Sequence, residues 1–229
     1  MIDIAENILK VRSRISKSAL EFNRSESEIT LLAVSKMQSV DAINLASKQG
    51  LKDFGENYLQ EAEPKILEMR GNSLKWHYIG RIQSNKTKRI AALFDWVHSI
   101  ERFSIAQRLN DYRPAKLPPL NVCLQINIDN ELTKGGFDEH TLLKIISNFK
   151  TLPSLKLRGL MAIPSQQKNS ELTRISFAKL HKLFIEAKNI YNDPCFDCLS
   201  MGMSGDMELA IAEGSTMLRI GTDIFGPRK

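Results

Sequence analysis

From residue 31 onward, eight short apolar runs alternate with longer amphipathic stretches. The runs cover 31–34, 53–55, 76–79, 96–99, 122–127, 157–162, 198–201 and 218–221. Helical spacing fills the gaps over 39–49, 58–69, 85–93, 100–111, 138–149, 171–191 and 206–213. Ahead of the first run, Ile4, Ile8, Leu9, Val11, Ile15 and Leu20 recur at the same spacing, predicting an extra N-terminal helix to about Phe22. A helical crossover returns the chain to the end where the strand began, so strands joined this way pair in parallel. The pattern predicts an α/β chain folded as a single (β/α)8 barrel of the TIM type, one domain spanning 1–229. A doubly wound open sheet is the alternative. No G-x-G-x-x-G follows the first run, which argues against the dinucleotide-binding form of that sheet. The Pro-rich stretch 114–119 reads as a tight loop before the fifth strand and 166–170 as a polar loop after the sixth.

Composition narrows the function classes. A hydrophobic fraction of 42% with 25% charged residues is that of an ordinary water-facing globular chain. No apolar run approaches the ~20 residues of a membrane span, and no signal-peptide pattern opens the chain. A cytoplasmic protein without a membrane partner is therefore expected. Cys123, Cys195 and Cys198 make an odd count without framework spacing, as in a reducing compartment. The C-x-x-C of Cys195 and Cys198 has no second pair and no nearby histidine, so neither zinc nor redox chemistry is expected. The net charge of +6 suits an anionic ligand. The densest basic cluster, Lys86-Thr87-Lys88-Arg89, has Ile90, Ala91 and Leu93 behind it and reads as a solvated helix face. No stacking aromatics accompany it, and no nucleic-acid partner is expected.

Barrel active sites lie at the C-terminal ends of the strands, with phosphate commonly held by the loops after strands seven and eight. Lys36 terminates the first strand, next to strand eight once the barrel closes. A lysine drawn out of water loses basicity, and its neutral amine forms imines with aldehydes. After the seventh strand comes Leu199-Ser200-Met201-Gly202-Met203-Ser204-Gly205-Asp206, and Met217-Leu218-Arg219-Ile220-Gly221-Thr222 ends the eighth. Glycines allow close approach of backbone N–H groups to an anion, and hydroxyls add donors. An aldehyde-reactive amine beside a phosphate cradle describes a site for pyridoxal 5′-phosphate (PLP).

Several segments carry a resemblance: Ala33-Val34-Ser35-Lys36, Phe54-Gly55-Glu56-Asn57-Tyr58, Trp76-His77-Tyr78-Ile79-Gly80, Gln83-Ser84-Asn85-Lys86, Arg158-Gly159-Leu160-Met161 and the two C-terminal segments above. In this order they resemble the pyridoxal phosphate homeostasis protein family across nearly the whole chain. The resemblance implies a barrel like the N-terminal domain of alanine racemase, the type III fold of PLP proteins. It implies Lys36 as the Schiff-base lysine and Arg219 as partner of the pyridine nitrogen. It further implies Ser200, Met203, Ser204, Gly221 and Thr222 at the phosphate, with Asn57 and His77 lining the pocket. One departure is the Met37-Gln38 pair, where many members carry Thr-Lys, so an auxiliary lysine at position 38 is missing.

A permanently charged guanidinium can only donate, so Arg219 would hold the pyridine nitrogen unprotonated and weaken the ring as an electron sink. Racemases of this fold type work with the same arrangement but use a second base, a tyrosine from a C-terminal β-domain in alanine racemase, for which a chain ending at Lys229 leaves no room. Asp206 and Glu208 read as first-turn acids of a helix, and His77 and His98 as core or pocket-wall residues. The expectation is a monomeric carrier, not an enzyme, that holds and releases PLP in vitamin B6 homeostasis, with apo PLP-dependent enzymes as partners. A racemase-like enzyme is the alternative, and a basic nucleic-acid-binding barrel a distant third. Lys134, in Thr133-Lys134-Gly135-Gly136 on the same rim, reads as an exposed loop lysine that could also accept the aldehyde transiently.

Overall fold

The computed structural model describes residues 3–131, 133–165 and 169–227. Residues 166–168 of the loop expected after the sixth strand lie outside the described residues. The chain runs α1 (Ile4–Glu21), β1 (Thr30–Val34), α2 (Val40–Lys48), β2 (Asp53–Glu56), α3 (Leu59–Glu68), β3 (Lys75–Tyr78), α4 (Thr87–Leu93), β4 (Trp96–Ile100) and α5 (Phe103–Tyr112). It continues through β5 (Leu120–Gln125), α6 (Glu139–Ile145), β6 (Leu155–Met161), α7 (Ser170–Tyr191), β7 (Cys198–Ser200), α8 (Met207–Ala212), β8 (Met217–Ile220) and α9 (Thr222–Phe225). The eight strands pair in parallel in chain order and close on themselves. Closure comes from β1 against β8, with Leu32 opposite Arg219 and Ala33 opposite Ile220. That register sets the turn after β1, which carries Lys36, beside Gly221.

Two layers of apolar side chains hold this arrangement. Outside the strands, helix faces bury residues at helical spacing. In α1 these are Ile4, Ile8, Val11, Ile15 and Ala19, and Asp3 caps the helix by accepting the Glu6 N–H at 3.0 Å. Helix α1 packs on α2, α8 and α9, beside the closing strand pair. A second cluster joins Leu32, Trp96, Cys123, Met161, Cys198 and Met217, contributed by β1, β4, β5, β6, β7 and β8. Burying a side chain of this size contributes roughly 1.5–3 kcal/mol. The interior also holds the buried polar residues His77, His98, Ser200 and Arg219.

The helices differ from the sequence pattern in several places, including α4, which starts at Thr87 after a 3-10 turn over Ser84–Lys86. Ile100 belongs to β4, where it is fully buried opposite Leu124, so α5 begins only at Phe103. The segment expected as one helix over 138–149 is α6 followed by a 3-10 turn over Ile146–Thr151, a tightening common at helix ends. Helix α9, four residues long, is too short to leave a periodic signal. Among the described residues, no helix is long and apolar enough to cross a membrane.

Candidate functional site

At the C-terminal mouth of the barrel, a cavity of about 220 Å³ is bounded by the exits of β1, β7 and β8. Lys36, Asn57, Met203, Ser204, Arg219, Gly221 and Thr222 all line it, together with Ile79, which directly follows β3. The Lys36 side chain is half-buried.

The backbone that presents Lys36 is held on both sides. Before it, the Ser35 hydroxyl donates to Glu56 Oε1 at 2.6 Å, and Lys65 Nζ donates to the Ser35 carbonyl at 3.0 Å. After it, the Met37 N–H donates to Glu61 Oε1. Met37 has φ 63°, a left-handed conformation that a non-glycine residue keeps only when its surroundings enforce it. Lys65 ties the group together, reaching Glu56 Oε1 at 3.0 Å and Glu61 Oε1 at 2.6 Å. Burial pushes the Glu56 carboxyl above its usual range, against the Ser35 hydrogen bond and the Lys65 charge. Its Oε2 has no hydrogen-bond partner among the described residues.

Opposite Lys36, the turn after β7 depends on Gly202, at φ 94°, where a Cβ would come within 2.5 Å of the Ala210 Cβ. Its carbonyl accepts the Arg219 N–H at 3.0 Å, which joins the turn to β8. The Met203 N–H donates to Asp206 Oδ1 at 2.6 Å, and the Asp223 N–H to Ser204 Oγ at 3.4 Å. Burial raises the Asp206 carboxyl. Arg14 on α1 braces both turns. It reaches the Ser204 carbonyl at 3.1 Å, Glu208 Oε1 at 2.7 Å, and Asp223. Two carboxylates near a prospective anion site are thereby paired with a guanidinium.

Arg219 supplies the charge at the cavity floor. Its Nη1 donates to Ser200 O at 2.7 Å and Ser200 Oγ at 2.8 Å, and its Nη2 to Ala162 O at 2.9 Å. Burial lowers its pKa to about 10, which leaves it a cation at neutral pH.

Two residues expected at the cofactor stand elsewhere. His77 is fully buried beneath the cavity. It stacks on Trp96 at 5.3 Å and bonds to Asp53 and His98 through its two ring nitrogens, each at 3.0 Å. Ile79, two residues on and just past the end of β3, takes the cavity wall instead. Ser200 is likewise buried and meets the cavity through Arg219. Lys134 lines a neighbouring cavity of about 330 Å³ that shares Asn57, Ile79 and Ile163 with the first. Its Nζ pairs with Glu131 at 2.5 Å and donates to the Ile163 carbonyl at 3.3 Å.

Sequence reasoning missed Arg14 and the Lys65 group. Arg14 carries no signal, since it sits on an N-terminal helix remote in sequence from both turns. The i, i+4 pair of Glu61 and Lys65 was visible, but such pairs usually sit on solvated helix faces.

The mouth thus combines a half-buried amine, a buried cation, two hydroxyls and two glycine turns, a set suited to holding a phosphorylated aldehyde. The family model for the N-terminal domain of alanine racemase matches residues 4–229. A pyridoxal phosphate homeostasis protein of Pseudomonas aeruginosa is 49% identical over 228 residues, covering 100% of this chain and 97% of that protein. The pyridoxal phosphate homeostasis protein of Escherichia coli strain K12 is 50% identical over 234 residues, covering 100% and 98%. Among solved structures, PipY of Synechococcus elongatus PCC7942 matches at TM-score 0.87 without PLP and 0.84 with PLP bound. Its identity is 33%, over 98% of this chain and 100% of that one. An alanine racemase from Corynebacterium glutamicum matches at TM-score 0.71 and 16% identity, over 98% of this chain and 60% of the racemase, a likeness of fold alone. With 49% and 50% identity to full-length relatives, the chain belongs to the pyridoxal phosphate homeostasis protein family, built on the alanine racemase N-terminal barrel.

Proposed function

We propose that this protein binds pyridoxal 5′-phosphate at the barrel mouth and holds it for release to other proteins, without turning over a substrate of its own. The observation that carries the reading is Lys36 and Arg219 on the wall of one cavity, with Ser204, Gly221 and Thr222 beside them. The residues fit the group. Lys36 would hold the aldehyde carbon, Arg219 the ring nitrogen, and Ser204, Gly221 and Thr222 the phosphate. Gly202 and Gly221 let the two turns pack closely, Gly202 on α8 and Gly221 on the end of β1. A Cβ at Gly202 would press on Ala210, and one at Gly221 would come within 3.3 Å of the Val34 carbonyl. Bound there, the cofactor supplies an aldehyde that an amine can hold covalently and give up to water. Arg219 donates and cannot accept, so it disfavours a protonated ring nitrogen and with it the electron sink that carbanion chemistry uses.

The titratable side chains on the cavity wall, among the described residues, are Lys36 and Arg219. A racemase needs a base on each face of its substrate, and this pair does not provide them. We extend the reading to partners: apo forms of PLP-dependent enzymes receive the cofactor from a monomeric carrier in the cytoplasm. The test mixes PLP-loaded protein with an apo PLP enzyme and follows recovery of that enzyme's activity. In parallel, deuterium exchange at the α-carbon of D- and L-alanine is measured with loaded protein alone. Activation without exchange supports the carrier. Steady exchange without activation supports the racemase-like alternative.

A further inference from the structure

Arg219 and Asp53 stand at opposite ends of an unbroken line of hydrogen bonds through the barrel interior. Arg219 Nη1 donates to Ser200 Oγ at 2.8 Å, and Ser200 Oγ lies 3.1 Å from His98 Nδ1. His98 Nε2 lies 3.0 Å from His77 Nδ1, and His77 Nε2 lies 3.0 Å from Asp53 Oδ1. Ser200, His98 and His77 are each 0% exposed and Arg219 is 4% exposed. Asp53, at the start of β2, lines a cavity of about 570 Å³ that also takes in Thr30, at the start of β1, on the face opposite the mouth.

Both ends of the line have a fixed polarity. A guanidinium only donates, and a carboxylate only accepts. Burial lowers the pKa of both imidazoles, so each is neutral with one N–H and one lone pair. The other charges acting on them are Asp95 and Lys75 at His77, and Arg219 at His98. Only one assignment then satisfies every contact. Ser200 accepts from Arg219 and donates to His98 Nδ1, His98 Nε2–H donates to His77 Nδ1, and His77 Nε2–H donates to Asp53. The reverse assignment sets the His77 Nε2 lone pair against the carboxylate and strips the Ser200 hydroxyl hydrogen of its acceptor in this line. Hydrogen bonds aligned head to tail polarise one another, so the line acts as a unit.

We propose that Asp53, His77, His98 and Ser200 form a one-way hydrogen-bond wire that positions the Arg219 guanidinium in the mouth from the far end of the barrel. Asp53, His77 and His98 are then positioning residues, acting on a ligand they never touch. The effect on a bound cofactor rests on the PLP reading above; the wire itself does not.

Two measurements test it. In nitrogen-15 NMR of histidine-labelled protein without ligand, at neutral pH, His77 and His98 should both be neutral Nε2–H tautomers. A Nδ1–H tautomer at either ring, or a doubly protonated His77, overturns the wire. The second measurement compares Asp53→Asn and Ser204→Ala by titration with PLP. Asp53→Asn removes the fixed acceptor, so the bound-PLP absorption maximum should move and affinity should fall roughly two- to thirtyfold. Ser204→Ala should lower affinity with the maximum in place. A purely structural role for Asp53 would lower the melting temperature and leave the spectrum and affinity unmoved, which overturns the positioning role. Should the parent protein bind no PLP, the cofactor reading fails, and the tautomers still decide the wire.

Discussion

The Lys65 ammonium donates to the Ser35 carbonyl at 3.0 Å, one residue ahead of Lys36. Through this contact and those to Glu56 and Glu61, a buried ion cluster fixes the turn that presents the amine. Removing one partner of a buried pair strands the other charge, at a cost of about 3–5 kcal/mol. Lys65→Met should therefore destabilise the protein by about that much in urea unfolding. Adding Glu56→Gln to it should recover most of the loss. A double variant as unstable as the sum of the two singles would contradict the pairing.

The same carboxyl gives a pH dependence. The folded-state pKa of Glu56 is raised above its ordinary 4.5. The folded protein therefore binds the proton more tightly than the unfolded chain does. Stability from this group is complete below about 4.5 and is lost as pH rises through the folded pKa. Glu56→Gln removes that loss. Its stability relative to the parent should rise between pH 4.5 and neutrality in denaturant titrations, and a flat or falling difference would contradict the assignment.

At the phosphate end, each charge-assisted hydrogen bond contributes roughly 1.5–3 kcal/mol. Ser204→Ala and Thr222→Ala should each weaken PLP binding accordingly in fluorescence titrations. Unphosphorylated pyridoxal should bind the parent protein far more weakly than PLP. Equal affinity for the two would remove the anion cradle from the account.

Lys134 is held by Glu131 and the Ile163 carbonyl in the cavity next to Lys36. If it takes the aldehyde on its way out, Lys134→Ala should change the rate at which loaded protein activates an apo enzyme more than it changes equilibrium affinity. Stopped-flow transfer with rates identical to the parent would confine Lys134 to a surface role.

Much of this molecule was legible in its sequence because barrel strands are buried runs and their order fixes neighbours. Closure of β1 against β8 alone was enough to set Lys36 beside the turn at Gly221, whereas Arg219 was marked by the family resemblance. His77 and Ser200 were expected at the cofactor because they lie in the right segments, but a strand's depth in the barrel decides which layer reaches the mouth. Ile79 reaches it and His77 does not. The interior line from Asp53 to Arg219 was illegible for a different reason. It joins single residues from β2, β3, β4, β7 and β8, and only the closed barrel brings them into contact. Arg14, acting on turns about 190 residues away in sequence, was hidden in the same way.

The central claim is that Lys36 is the residue that carries the cofactor. Protein incubated with PLP should turn yellow, and borohydride should bleach the colour. Peptide mass spectrometry should then find the reduced cofactor's mass on the peptide containing Lys36, and Lys36→Ala should abolish both the colour and the label. The mass appearing only on another lysine, or a yellow Lys36→Ala protein labelled as heavily as the parent, would contradict the account.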